Sequence, residues 1–210
     1  MNSKSAEHTM TTRERIIDEA LSLFSIHGYT GTSVKSIADA VGIRDSSIYK
    51  HFASKREIID AIVEQMQLRI EKMSVDAGLP QKSEAGQVYS HMSLETLQAL
   101  SRKAFLFYLQ DDFMSRFWRL AGIEQYHNKE IYDIYSTLFF DRSIEYLRNL
   151  FTEMIKTGAF HNSDPETMAI SFYTPIFFLL SKYSDRPYRI EEALFILNRQ
   201  IAEFYRIYRK

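Results

Sequence analysis

A helix-turn-helix pattern occupies residues 33–52, which read SVKSIADAVGIRDSSIYKHF. Two short stretches with apolar residues at helical spacing flank Gly42, and a glycine there accommodates the left-handed backbone of a tight turn. Ser33 is placed to cap the first helix, and the small Ala38 lets the second helix cross closely. The predicted shared core consists of Val34, Ile37, Val41, Ile43 and Ile48.

The side chains left outside this small core are mainly polar. They are Arg44, Asp45, Ser46, Ser47, Lys50 and His51, with the ring and hydroxyl of Tyr49. Such a surface suits the major groove of DNA, where polar side chains of a helix meet base edges. Helical hairpins with a glycine corner also occur in proteins that never contact DNA, and basic and acidic residues are balanced over residues 1–60. The pattern alone leaves both interpretations open, although Lys35, Lys55 and Arg56 place positive charge beside the hairpin.

The sequence around the hairpin resembles the TetR-type (TetR/AcrR) transcriptional regulators. The matching segments are RERIIDEALSLF (13–24), GYTGTSV (28–34), Ile37-Ala38, VGI (41–43) and IYKHFASK (48–55). The resemblance covers about residues 11–60 and implies a DNA-binding domain. It implies that Thr32 or Ser33, Tyr49, His51 and Lys55 contact phosphates, while residues 44–47 and Lys50 approach base edges; Lys35 completes the expected DNA-binding set.

Two residues depart from the family pattern. Arg44 stands where a small N-cap residue such as Ser is usual, and Asp45 stands where a basic or neutral residue is commoner. Asp45 either caps the recognition helix or accepts a hydrogen bond from a cytosine amino group, and we favour the cap. The base preference therefore does not follow from the resemblance.

Composition predicts a globular all-α protein. The chain has 210 residues, 45% of them hydrophobic, with 26 basic and 27 acidic side chains, and only 7 glycines and 4 prolines. The absence of cysteine excludes disulfides, cysteine zinc sites and thiol nucleophiles. We find no signal peptide pattern and no apolar run of membrane-spanning length, so we expect a cytoplasmic protein without membrane contact.

The expected organisation is a flexible arm, a head and a helical body. The arm spans residues 1–10, the helix-turn-helix domain residues 11–55, and a ligand-binding and dimerisation domain residues 56–210. A stripe of apolar residues from Ile59 to Met73 predicts one long helix that leaves the head.

The body is rich in aromatic residues, which usually indicates a packed core. So many large rings, with methionines as adaptable filler, also suit an apolar cavity for a small apolar or aromatic effector. The residues expected to line that cavity are Trp118, Tyr126, Phe139 and Phe177.

Two apolar helices near the C-terminal end predict a homodimer. Asp164-Pro165-Glu166 is a strong helix start, and the helix that it opens is apolar on several sides. A second helix carries a narrow apolar seam, and the resemblance implies dimerisation through these last two helices as a four-helix bundle. The expected interface residues are Phe172, Ile176, Leu179, Ile190, Leu194, Leu197, Ile201 and Phe204.

No constellation of catalytic residues is apparent. Asp111-Asp112 precedes an apolar helical segment, where capping explains it better than acid-base chemistry. Glu124 and His127 have the spacing of half a metal site, but no second half accompanies them. We expect no enzyme activity, no cofactor and no metal.

The sequence therefore predicts a ligand-responsive transcriptional regulator, a repressor that binds an inverted-repeat DNA operator as a homodimer. One alternative is a helical DNA-binding protein whose body recruits a protein partner instead of a small molecule. A helical carrier or enzyme without DNA function is the third class.

Overall fold

The computed structural model describes residues 10–79, 92–184 and 189–210. Every regular element in these ranges is a helix, with one isolated antiparallel bridge between Phe160 and Arg209, so the all-α prediction is confirmed. The predicted arm, apart from Met10, lies outside the described residues. None of the described helices is long and apolar enough to cross a bilayer.

The head contains the three helices that the sequence predicts. Helix α1 (Thr12–Gly31) begins with a capping box between Thr11 and Glu14, and its regular geometry is interrupted at Gly28, where φ is 74°. Helix α2 (Val34–Val41) is capped by the Ser33 hydroxyl, which accepts a hydrogen bond from the Ser36 N–H. Gly42 then turns the chain with φ 77° and ψ 35°, and α3 (Asp45–Ile48) follows.

The cap predicted for α3 is wrong. Arg44 occupies the N-cap position without a side-chain hydrogen bond, and Asp45 is the first residue inside the helix. From that position the carboxylate still lies beside the positive end of the helix dipole, which favours an acidic residue.

In the described part of the body, seven further helices and one π-helical turn follow. They are α4 (Lys55–Ala77), α5 (Leu94–Gln110), α6 (Asp112–Glu124), α7 (Lys129–Ser136), the π-helical turn (Thr137–Asp141), α8 (Arg142–Lys156), α9 (Pro165–Tyr183) and α10 (Ile190–Tyr208). Asp111 and Asp164 cap α6 and α9 as predicted, by accepting from the N–H groups of Met114 and Thr167.

Two apolar clusters form the interior of the protein. The first joins the head to the body, because α1, α2 and the first half of α4 share it with Phe113, Phe117 and Leu120 of α6. The second lies among α5, α8, α9 and α10. Since the first cluster spans head and body, the head is not packed as a separate unit.

The predicted dimer-interface residues lie inside the subunit. Phe172 and Leu179 of α9 and Leu194, Leu197, Ile201 and Phe204 of α10 are buried in the second cluster, and Ile176 and Ile190 pack against it. The seam of α10 therefore holds the subunit's own helices together, which leaves little of its buried side chains for a contact between subunits.

Candidate functional site

The short helix α3 projects polar side chains from an apolar base. Ile48 and Phe52 are buried in the head core, which orients the opposite side of the hairpin toward solvent. The expected DNA-contacting side chains exposed on the head are Ser33, Lys35, Arg44, Asp45, Ser46, Tyr49, Lys50 and His51, and Ser47 is half-buried. Most of the predicted set is thus exposed on the head.

Thr32 and Lys55 hold the head together. The Thr32 side chain is 2% exposed and its hydroxyl donates to the Gly28 carbonyl at 2.9 Å. Of the two alternatives at this position, only Ser33 presents its hydroxyl at the surface. The Lys55 ammonium donates to the carbonyls of Tyr29 and Thr32 at 2.7 and 2.8 Å, which leaves it one further N–H for a phosphate.

The environment of Lys55 lowers its pKa. Partial burial disfavours the charged ammonium, and the opposite charge of Glu124 partly offsets this effect. The ammonium also lies over the Tyr29 ring, 4.3 Å from its centroid. Lys55 therefore links the N-terminus of α4 to the last turn of α1 and to Thr32, the residue before the α2 cap.

A buried carboxylate joins the body to the head. Glu124, at the end of α6, is 3% exposed, and its Oε1 accepts a hydrogen bond from the Tyr29 backbone N–H at 2.8 Å. Gly28 makes room for it, since a Cβ there would lie 2.5 Å from Glu124 Oε1. Glu124 Oε2 is buried without a partner among the described residues. No local sequence pattern could reveal this contact, because the two residues lie 95 positions apart.

A second polar contact fixes the same pair of helices. The Arg116 guanidinium of α6 bonds Asp18 Oδ1 at 2.6 Å and the Ser22 hydroxyl at 2.7 Å, both on α1. Arg116 is largely buried, so its ion pair is screened less than a surface pair. Helices α1 and α6 are thus held at both ends of their contact.

An apolar cavity of about 290 Å³ lies in the body. The second half of α4, the facing side of α5, the start of α8 and the middle of α9 form its walls. Phe172 and Ile176, which were expected in the dimer interface, line this cavity. Helix α4 therefore has its C-terminal half on the cavity and its N-terminal Lys55 on the head.

The aromatic residues predicted for the cavity wall lie elsewhere. Trp118, Phe139 and Phe177 pack together, with ring centroids 4.9 Å apart for Trp118–Phe139 and 5.4 Å for Trp118–Phe177. Tyr126 is 83% exposed. None of the four lines the cavity. The first three rings pack against one another in the core, and the open space lies nearer α4 and α5.

Two helices present apolar side chains to solvent. On α9 these are Ile170 and Phe178, and on α10 they are Phe195 and Ile207. Large exposed apolar side chains on two helices that pack together are a candidate surface for a protein-protein contact.

Comparison with known proteins places the head in a family. Residues 16–62 match the family model described as "Bacterial regulatory proteins, tetR family". The biofilm operon icaADBC HTH-type negative transcriptional regulator IcaR of Staphylococcus aureus is 45% identical over 51 residues, which are 24% of this chain and 27% of that protein. The HTH-type transcriptional regulator TcmR of Streptomyces glaucescens is 47% identical over 47 residues, 22% of this chain and 21% of TcmR. The matched stretches thus span about a quarter of each relative.

The fold extends over the whole chain in solved structures. A TetR-family regulator structure from Mesorhizobium loti covers 100% of both chains with a TM-score of 0.69 and 18% identity. The SmeT-triclosan complex covers 96% of this chain and 93% of SmeT, with a TM-score of 0.68 and 19% identity.

Head and body together define a helical protein with an N-terminal helix-turn-helix domain. Residues 16–62 match the TetR family model, so the resemblance that the sequence of the head shows to this family is confirmed.

Proposed function

We propose that the protein is a cytoplasmic transcriptional repressor that binds an inverted-repeat operator as a homodimer and responds to a small apolar effector. The observation that carries the proposal is the exposed polar surface of α3 over a buried apolar base. Two relatives support the sign of regulation, since IcaR is named a negative regulator and SmeT is described as the repressor of a multidrug efflux pump.

The proposed DNA contacts are those that the head exposes. Residues 44–47 and Lys50 lie at or beside α3 and would approach base edges. Ser33, Tyr49 and His51 would contact phosphates, with Lys35 and the remaining N–H of Lys55 adding positive charge.

The proposed dimer uses the solvent side of α9 and α10. Phe178 and Phe195 are exposed there, and burying such side chains against a second copy is favourable. A twofold dimer presents two identical recognition helices, and each reads one half of a palindromic site.

Helix α4 provides the proposed coupling between effector and DNA. Ile70, Met73 and Ser74 line the cavity, while Lys55 at the other end of the helix bonds the last turn of α1. An effector that binds better to one placement of α4 would shift the spacing of the paired recognition helices. The SmeT structure with triclosan supports a ligand in a protein of this fold.

Selection from a random DNA library, followed by gel shift and footprinting, tests the proposal. We expect a site with twofold symmetry and binding that weakens steeply with salt. A footprint on one unrepeated half-site would contradict the dimeric mode, and no binding at low salt would contradict DNA binding itself. If a protein partner changed operator affinity and no small molecule did, the result would favour the alternative in which the body recruits a protein partner.

Tyr49→Phe is expected to weaken binding to all operator sequences alike, by about 3- to 10-fold, because it removes one hydrogen bond to a phosphate. The slope of affinity against salt should stay the same, since no charge is lost. Gel shifts with the selected operator and with single-base variants measure both effects. Tyr132→Phe, an exposed tyrosine on α7, is the matched control. An altered base preference in Tyr49→Phe would show that the residue contacts bases.

A further inference from the structure

The inner wall of the cavity carries a hydroxyl group without a partner among the described residues. Tyr108 of α5 lines the cavity, and its ring packs against Phe107 and Phe139 with centroids 5.6 and 5.9 Å apart. Its hydroxyl forms no hydrogen bond with the described residues. Glu124 Oε2 is the only fully enclosed side-chain oxygen or nitrogen in the described ranges that lacks a partner, so the Tyr108 hydroxyl keeps some accessible surface, in a residue that lines the cavity.

The neighbouring tyrosine is already satisfied. The Tyr173 hydroxyl donates to the Phe139 carbonyl at 2.5 Å. Burial raises the pKa of Tyr173 to about 12 and that of Tyr108 further, so both hydroxyls stay protonated at neutral pH. Of these two tyrosines, Tyr108 is therefore the one that can donate a hydrogen bond to a ligand.

Charged side chains are confined to the cavity's edge. Glu71 and Arg142 line it from solvent-exposed positions and carry opposite charges. The deeper walls are formed by buried apolar side chains such as Leu97, Phe105 and Leu180. A ligand charge placed among them would lose its hydration without a partner, which is strongly unfavourable.

Building on the proposed function, we propose that the effector is an uncharged, mainly apolar molecule whose hydroxyl or carbonyl oxygen accepts a hydrogen bond from Tyr108. The apolar walls supply most of the binding free energy, because removing apolar surface from water is the main driving force for binding in such a cavity. The Tyr108 hydroxyl selects among apolar molecules, since a buried donor left unpaired disfavours a ligand without an acceptor.

Calorimetric titration of the full chain with 1-octanol, octane, octanoate and octylammonium tests this inference. These four compounds share one alkyl length and differ in their polar group. We expect 1-octanol to bind more tightly than octane by about 3- to 10-fold, and both ions to bind more weakly than the alcohol. In Tyr108→Phe the preference of the alcohol over octane should disappear. Tyr173→Phe, whose hydroxyl is already bonded to the protein, should keep it.

Other outcomes would overturn the inference. If octanoate bound more tightly than 1-octanol, and Arg142→Gln removed this difference in affinity, the effector would be an anion held at the cavity edge. The absence of binding by all four compounds would also overturn it. If Tyr108→Phe failed to fold, the alcohol-to-octane ratio in the unchanged chain would decide alone.

Operator release is measured separately by adding 1-octanol to the gel shift. Tyr108-dependent binding without release would leave the ligand class standing and contradict the regulatory part of the proposed function. Operator binding without any binding of octanol would contradict the proposed ligand class and leave the DNA-binding part of the proposed function standing.

Discussion

Phe195→Glu is expected to convert the dimer into a soluble, folded monomer that no longer binds the operator. Phe195 is 63% exposed in the subunit, so the substitution leaves the subunit's own packing intact. In the proposed dimer the substitution would put a carboxylate in place of an apolar ring in the interface, which weakens association by about 3 kcal/mol or more, at least roughly 100-fold. One recognition helix alone makes too few phosphate contacts for stable binding.

Leu197→Glu, two residues further along α10, should behave differently. Leu197 is 0% exposed and belongs to the second apolar cluster, so a glutamate there is expected to unfold the subunit. Light scattering and a thermal melt distinguish the two results. Tyr126→Glu, on an exposed side chain in the turn after α6, is the charge control and should stay dimeric. A Phe195→Glu protein that remained dimeric and bound DNA normally would place the interface elsewhere.

The head could be predicted from sequence because its determinants are local. The Ser33 cap, the left-handed Gly42 and the apolar spacing around Ile37 act within a few residues of one another, and each was found where expected. The wrong prediction of a cap at Asp45 also concerns only neighbouring residues. The helix begins one residue earlier than a cap at Asp45 requires, so Asp45 falls inside it and Arg44 takes the cap position.

The body was predicted less well because periodicity shows an apolar face without showing what covers it. The seam with Leu194 and Leu197 has the same spacing whether its partner is a second copy or a neighbouring helix of the same chain, and here α5 and α9 cover it. The cavity depends on how four helices diverge, which no single stretch of sequence encodes. Trp118 and Phe139 belong to the aromatic-rich segment that suggests a cavity, yet their rings pack on each other and fill space in the core.

Gly28→Ala is expected to destabilise the protein by roughly 3 kcal/mol, from two costs that add. The backbone at Gly28 has φ 74°, a conformation that costs a residue with a Cβ about 1–2 kcal/mol. The new methyl group would also lie 2.5 Å from Glu124 Oε1 and 3.2 Å from Ile123 Cγ2. Glu124 would have to move, and the Tyr29 N–H would lose its acceptor, which costs about 1–3 kcal/mol.

A double-mutant cycle with Glu124→Ala separates these two causes. Glu124→Ala alone should cost about 1–3 kcal/mol, because it also removes the acceptor for the Tyr29 N–H. In that background Gly28→Ala should add only the backbone cost of about 1–2 kcal/mol, so the two substitutions should be less harmful together than their sum. Chemical denaturation of the four proteins gives the coupling free energy.

Gly122→Ala is the matched control on the same helix as Glu124. A Cβ at Gly122 meets nothing within 4 Å, and alanine favours helix over glycine, so this variant should be neutral or more stable by up to about 1 kcal/mol. Strict additivity of Gly28→Ala and Glu124→Ala would contradict a contact between the two sites. Operator affinity adds a functional readout, because Tyr29 lies in the last turn of α1, next to the helix-turn-helix, and its carbonyl binds Lys55. We therefore expect folded Gly28→Ala protein to bind the operator more weakly, while Gly122→Ala binds as the unchanged chain does.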